Sequence, residues 1–299
     1  MSTSTPPQRT VERWAWDYVM AEDWVHKLAP PPLPTSWEEE APPRRIERPG
    51  RGRGFAISAH GEKSTGKSRL KSEERRARLI HAFLHHELQA AELMAWAVLA
   101  FPEMPQSFKR GLLKITTDEI SHMHLYADWL RPRGIAPGQI PVRDWFWERV
   151  PSTPDARAFV ATMGIGLEGG NLDHAARFAT RFRAAGDDEA ADIEERVGRE
   201  EIPHVRFALH WFRVLDAERR GVPAVGAHEP SDGAEFARWS AALPAPLSPL
   251  VMRGEPIARE ARARAGLGAG FVDALIAATA EGADSPSTKH SAAPSESTG

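Results

Sequence analysis

The chain has 299 residues, no cysteine and a formal net charge of −3. Without cysteine there are no disulfides, thiolate nucleophiles, zinc–thiolate sites or iron–sulfur clusters within it, and so small a net charge argues for no particular partner. Its 41% hydrophobic and 26% charged residues are those of a globular protein able to build a sizeable core. No apolar run reaches the roughly 18 residues of a membrane span, and residues 1–11 lack the apolar stretch of a signal peptide. The expectation is a cytoplasmic protein with no membrane contact.

Residues 1–10 are a Ser/Thr/Pro tail. Residues 11–28 read as one short helix with Trp14, Trp16, Val19, Trp24 and Leu28 as its apolar positions, ended by Pro30-Pro31-Pro32. Residues 30–71 are rich in Pro, Gly and Arg without any sustained period, so they are either a strap over the surface or disordered. Residues 44–78 carry twelve Lys or Arg against four acids. We read this stretch as a solvated linker, while its charge leaves an RNA substrate open. Inside it, Gly61-Glu62-Lys63-Ser64-Thr65-Gly66-Lys67-Ser68 fits the phosphate-cradling spacing G-x-x-x-x-G-K-[ST] at every fixed position. Such a loop needs a strand before it and a helix after it in an α/β sheet. Residues 55–58 make a poor strand and everything downstream is helical, so no nucleotide site is read here.

From Ser72, a plausible N-cap with Glu73 and Glu74 in the first turn, the pattern becomes helical. Helices are predicted over 72–99, 105–130, 154–185 and 187–220, with Pro102, Pro132, Gly186 and Gly221 as their stops. The first is apolar on most of its circumference from Leu79 onward and is expected to be buried. The four make two hairpins joined by about 22 irregular residues around Trp145-Phe146-Trp147, enough to span roughly 75 Å extended and so to run the length of a helix of about 40 Å. After 221 the chain is Pro- and Ala-rich, with short docking helices expected over 256–265 and 271–280 and a disordered tail over 282–299.

The helices carry a repeated turn: Asp118-Glu119-Ile120-Ser121-His122 and Glu200-Glu201-Ile202-Pro203-His204. In each, Glu and His are three residues apart and project from one helix face. Glu87 precedes Glu119 by 32 residues and Glu168 precedes Glu201 by 33, so the two hairpins carry their acids at nearly the same offset. Each Glu lies in an apolar stripe: Ile80, Phe83, Ala90 and Met94 flank Glu87, and Ala161, Ile165, Leu172 and Ala175 flank Glu168. Four carboxylates on core faces are costly without compensation. Two Glu-x-x-His turns with two further acids are the known ligand set of a dinuclear carboxylate site in a four-helix bundle. The predicted metal ligands are therefore Glu87, Glu119, His122, Glu168, Glu201 and His204.

Glu92 and Asp173 each follow an upstream acid by five residues. Glu92 also has apolar neighbours, which makes it the alternative to Glu87. Either acid could hold a ligand histidine through its outer ring nitrogen. Asp118 and Glu200 read as surface acids. His85, His86, His124, His174 and His210 lack the spacing and read as packing or outer groups. Pro203 is expected to kink its helix. Gly164, Gly166, Gly169 and Gly170 either leave room beside the metals or serve helix packing.

The segments His85-His86-Glu87-Leu88-Gln89-Ala90-Ala91-Glu92, Asp118-Glu119-Ile120-Ser121-His122-Met123 and Arg199-Glu200-Glu201-Ile202-Pro203-His204-Val205 resemble an uncharacterised ferritin-like family, a domain of unknown function, over residues 10 to 280. That family is similar at the fold level to a non-haem di-iron tRNA hydroxylase. The resemblance implies an all-α fold: a ferritin-like four-helix bundle with one long crossover over 72–221, an N-terminal helix and strap over 1–71, and a docking segment over 222–281. It implies a di-iron carboxylate centre and no particular substrate. Carboxylate and imidazole ligands suit two iron ions, with manganese as the alternative. The expected function is a di-iron oxygenase or oxidase that takes dioxygen, an unknown small-molecule or RNA substrate, and electrons from an external donor. A non-catalytic iron-binding protein is the alternative, and an RNA-modifying hydroxylase a more distant one.

Overall fold

The computed structural model describes residues 4–58, 70–223 and 232–283. The phosphate-loop-like motif at 61–68 and the predicted tail beyond 283 lie outside them. Among the described residues the chain is helical, with only two isolated bridges, Thr10 with Ser36 and Ile57 with Val142.

The predicted N-terminal helix is two: α1 (Val11–Met20) and α2 (Trp24–Leu28). The break is chemical, because Asp23 takes extended backbone and its side chain accepts from the His26 N–H, starting a new helix. The four long helices follow the predicted bounds closely. They are α3 (Glu73–Ala100), α4 (Gln106–Leu130), a third made of α5 (Ala156–Phe159), a π-helical stretch (Val160–Glu168) and α6 (Gly169–Ala184), and α7 (Asp188–Arg220). Asp155 and Asp187 cap the last two, and Gly221 closes α7 at φ 65, a left-handed conformation that costs glycine little. Helix α7 continues through Pro203. The C-terminal part adds α8 (Gly233–Ser240), which was not predicted, then α9 (Arg259–Arg264) and α10 (Ala269–Ala283).

Helix α3 packs along α4, the π stretch and α6 pack along α7, and α4 meets α7 between the hairpins. Helix α3 is buried over nearly all of its second half, Leu88 to Ala100, as its continuous apolar sequence requires. The glycines of the third helix serve packing. A Cβ on Gly164 would meet the Ala208 Cβ of α7 at 2.1 Å, and one on Gly166 would meet the Met252 Sδ at 2.6 Å. Gly170 also lines the cavity beside the site.

Residues 30–58 are an ordered strap. Its Gly50 N–H donates to the Val19 carbonyl at 2.9 Å and its Arg44 N–H to the Leu99 carbonyl at 2.9 Å. Three of its five arginines turn inward: Arg44 pairs with Glu38, Arg45 donates to the Thr153 and Pro154 carbonyls, and Arg51 reaches both Glu92 and Asp144. This part of the basic stretch is therefore stitching within the fold, where a solvated linker was expected.

The C-terminal segment is docked by ion pairs to buried acids, Arg213 with Glu235, Arg238 with Asp216 and Arg262 with Asp173. Asp173 of α6 accepts from Arg262 at 3.0 and 2.7 Å and from the Gly254 and Ala258 N–H groups at 2.9 and 2.8 Å. With Asp173 0% and Arg262 1% exposed, Asp173→Ala strands a buried guanidinium. Urea denaturation is expected to show a loss of about 3–5 kcal/mol.

Candidate metal centre

Five of the six predicted residues contact one another, and the sixth, Glu168, is buried beside them. The Nδ1 of His122 lies 3.2 Å from Glu119 Oε2, 3.6 Å from Glu201 Oε1 and 3.8 Å from Glu87 Oε2. The Nδ1 of His204 lies 2.9 Å from Glu201 Oε2 and 3.1 Å from Glu119 Oε1. Both Nδ1 atoms thus face a common interior, and Glu119 touches both. Atoms of Glu87, Glu119, His122 and Glu201 fall within 4.8 Å of one another, a buried grouping that could hold a metal ion. Glu168 is buried beside them, and its Oε1 has no hydrogen-bond partner. A buried carboxylate oxygen with nothing to accept from is what a cation at this place would satisfy. The donor set of carboxylate oxygens and imidazole nitrogens also fits a divalent first-row metal.

The outer faces of the histidines are held crosswise. His122 of α4 puts its Nε2 3.1 Å from Glu200 of α7, and His204 of α7 puts its Nε2 3.3 Å from Asp118 of α4. Each acid precedes the Glu of its own turn and serves the other turn's histidine. Reading Asp118 and Glu200 as surface acids therefore needs correction: both are partly exposed, yet each orients a ring. Glu92 and Asp173, expected in that role, are elsewhere. Glu92 is gripped by Lys27 at 2.7 Å, by Arg51 at 2.6 and 2.8 Å, and by the Trp147 indole N–H at 2.8 Å. Asp173 belongs to Arg262. Glu92 is likewise no alternative to Glu87, since its oxygens are occupied by cations of the chain itself.

Charge explains how the cluster survives burial. Burial alone would lower the pKa of His122, but the hydrogen bond to Glu119, the close Glu87 carboxylate and the charges of Glu119 and Glu201 outweigh it and push the ring up to about 12. His204 is raised too: Glu201, then contacts with Asp118 and Glu119, overcome its burial. Glu119 is the converse, with burial outweighed by the two histidines and its pKa pulled well below the ordinary carboxylate value. Glu87 and Glu168 are pushed up, by burial first and then by neighbouring carboxylates.

The π-helical stretch ends at Glu168, and the Gly169 N–H donates back five residues to the Gly164 carbonyl. The wider turn is a local departure of the kind often found at functional sites. Beside it opens a cavity of about 800 Å³ whose wall includes Glu87 and Glu168. Tyr126 and Glu194 also line it, and the Tyr126 O–H donates to Glu194 Oε1 at 2.9 Å. Burial lifts Glu194 to about 8, against the hydrogen bond from Tyr126. Glu194 was not predicted, although seven residues before Glu201 is the same helix face. His86 and His174 present their rings to the cavity, while His85 is bound through Nε2 to Asp144 at 2.9 Å.

Fold and site together define an all-α protein with a buried carboxylate–histidine cluster that could hold a metal ion. The chain belongs to the family described as "Protein of unknown function (DUF455)", whose pattern matches residues 8–273. It is similar to an uncharacterized protein of Haemophilus influenzae, 26% identical over 171 residues, a match that covers 54% of this chain and 59% of that protein. No solved structure matches. Membership in a family of unknown function is as expected. Among the described residues no helix is long and apolar enough to cross a membrane.

Proposed function

We propose that this chain is a metal-binding oxidoreductase, a non-haem dinuclear iron oxygenase or oxidase of the ferritin-like kind, with manganese as the alternative metal. Glu87, Glu119, His122, Glu168, Glu201 and His204 would hold the ions. The observation that carries the reading is the crosswise arrangement. Two Glu-x-x-His turns face one interior through Nδ1, and each ring is braced through Nε2 by an acid of the opposite helix. Such bracing fixes the ring and raises its basicity as a ligand. When bound, a redox-active metal pair supplies dioxygen activation.

The chain's own residues do the rest. Glu194, with its raised pKa, keeps a proton at its carboxyl beside Tyr126 on the cavity wall. Phe83, Phe146 and Phe178 supply apolar surface to part of the cavity wall. With no cysteine and no flavin-binding pattern, electrons would come from a separate donor. A purely iron-binding role is the second reading, and the cavity opening onto Glu87 and Glu168 favours chemistry over storage.

Metal analysis of the purified protein is expected to find about two iron or manganese ions per chain. Reduced protein is expected to consume dioxygen at once on mixing. A metal-free preparation that cannot be loaded with either ion overturns the metal reading, and loading without oxygen uptake leaves the iron-binding one. A subtler result concerns the braces. Asp118→Asn with Glu200→Gln is expected to lower metal affinity about 10–100-fold, read by chelator competition, with helix content unchanged.

A further inference from the structure

Charged side chains of both signs line the cavity, Glu74 and Glu194 among them. At the inner end stand Glu87 and Glu168. At the other end are arginines of α3 and α6, among them Arg75, Arg177 and Arg181. Arg177 lies nine residues beyond Glu168 on α6 and Arg181 thirteen, or about 14 and 20 Å along the helix axis. Between the ends the wall is aromatic. Phe83 stands 4.9 Å from Phe178, and the His86 ring stacks on Phe146 at 5.4 Å.

Several other partly or fully buried arginines have acids: Arg51 has Glu92, Arg76 has Asp187, Arg157 has Asp216, Arg213 has Glu235 and Arg262 has Asp173, while Arg45 is satisfied by the Thr153 and Pro154 carbonyls. Among the described residues, Arg177 and Arg181 pair with no carboxylate. Both guanidinium groups lie over the ring of Phe178, at 4.7 and 5.4 Å. Arg177 donates to the Nδ1 of His174 at 2.9 Å, and its Nε is buried with no acceptor. Burial and then the charge of Arg181 press its pKa down, outweighing the more distant charges of Asp173 and Glu255. The rings of His86 and His174 line the same cavity and bring no negative charge to these guanidinium groups.

We infer that the cavity takes an elongated amphiphilic small molecule, its carboxylate or phosphate monoester head held by Arg177 and Arg181 and its apolar body laid along Phe83, Phe146 and Phe178 toward Glu87 and Glu168. Guanidinium groups match either head in a forked geometry, and the span of about 14–20 Å excludes short acids from reaching both ends at once. Naming the inner end as the reacting end rests on the metal reading above; the head-group site does not.

The test is titration calorimetry on the full-length protein as purified, with decanoate, decyl phosphate and the neutral 1-decanol as probes, and metal content measured on the same samples. Decanoate or decyl phosphate is expected to bind at least about tenfold more tightly than decanol, and whichever binds better identifies the head. Arg177→Gln with Arg181→Gln is expected to weaken that anion about tenfold or more while decanol is unaffected and the metal content is unchanged. Arg181→Gln alone, at the more open position, gives the same sign if the double variant does not fold, and Arg181→Lys is expected to restore part of the affinity. Equal binding of decanol, or unchanged anion binding by a folded double variant, overturns the inference. So does binding of none of the three probes. A chain that binds the anions but holds no metal would keep the head-group site and overturn the metal reading alone.

Discussion

Purified Glu119→Ala/His204→Ala protein is expected to carry close to no iron or manganese where the parent carries about two ions per chain. Glu119 is the carboxylate that reaches both imidazoles, with Oε2 3.2 Å from His122 and Oε1 3.1 Å from His204. Each of the two proposed ion positions therefore depends on it. Removing it alone would leave two cationic rings around a missing anion in a buried place, which costs about 3–5 kcal/mol and risks confusing lost metal with lost fold. Removing His204 with it takes out one negative and one positive group together, so the metal-free fold keeps its charge balance. Circular dichroism should then report a folded helical protein, and elemental analysis an empty one. Full loading of a folded double variant would mean that the ligands lie elsewhere.

Much of this site can be read from the sequence, because a helix converts spacing into direction. Glu119 and His122, or Glu201 and His204, share a face at three residues apart whatever the rest of the chain does. The four long helices are legible for the same reason, and Pro and Gly mark their ends. What spacing cannot supply is the partner. An apolar stripe around Glu92 says only that Glu92 is buried. It does not say that Lys27 and Arg51, from the N-terminal helices and strap, close over it. The opposite error befell Asp118 and Glu200: an acid next to an acid, on a partly exposed face, looks solvated. Its cue was the repeat itself, which places an acid before the Glu in both turns. The π-helical stretch was out of reach, since clustered glycines between 164 and 170 signal only a weak helix. It is the fit of Gly164 against Ala208 and Gly166 against Met252 that decides its path.

Metal affinity should rise steeply with pH, and the reason lies in what the cluster holds when no metal is there. His122, raised to about 12, and His204, also raised, are protonated at neutral pH in the metal-free protein. A group raised in the folded state stabilises that state fully below its unfolded value, near 6.5 for His122, and loses the contribution as pH climbs toward the folded value. Glu119 acts in the opposite sense, contributing above its unfolded value near 4.5 and failing in strong acid. Toward alkaline pH the metal-free fold therefore weakens. Loading runs the other way, because an imidazole must shed its proton before it can bind an ion. Displacing the two ring protons alone makes overall loading of the pair about a hundredfold more favourable per pH unit, and the protons on Glu87 and Glu168 add to the slope where those carboxyls are still protonated. The melting temperatures of loaded and metal-free protein should thus draw apart between about pH 6 and pH 8.5. Calorimetry in buffers of differing ionisation enthalpy would count the protons released, with at least about two expected per pair of ions at pH 7. A count of zero would mean that ions enter without displacing the ring protons, and His122 and His204 would lose their place in the proposed ligand set.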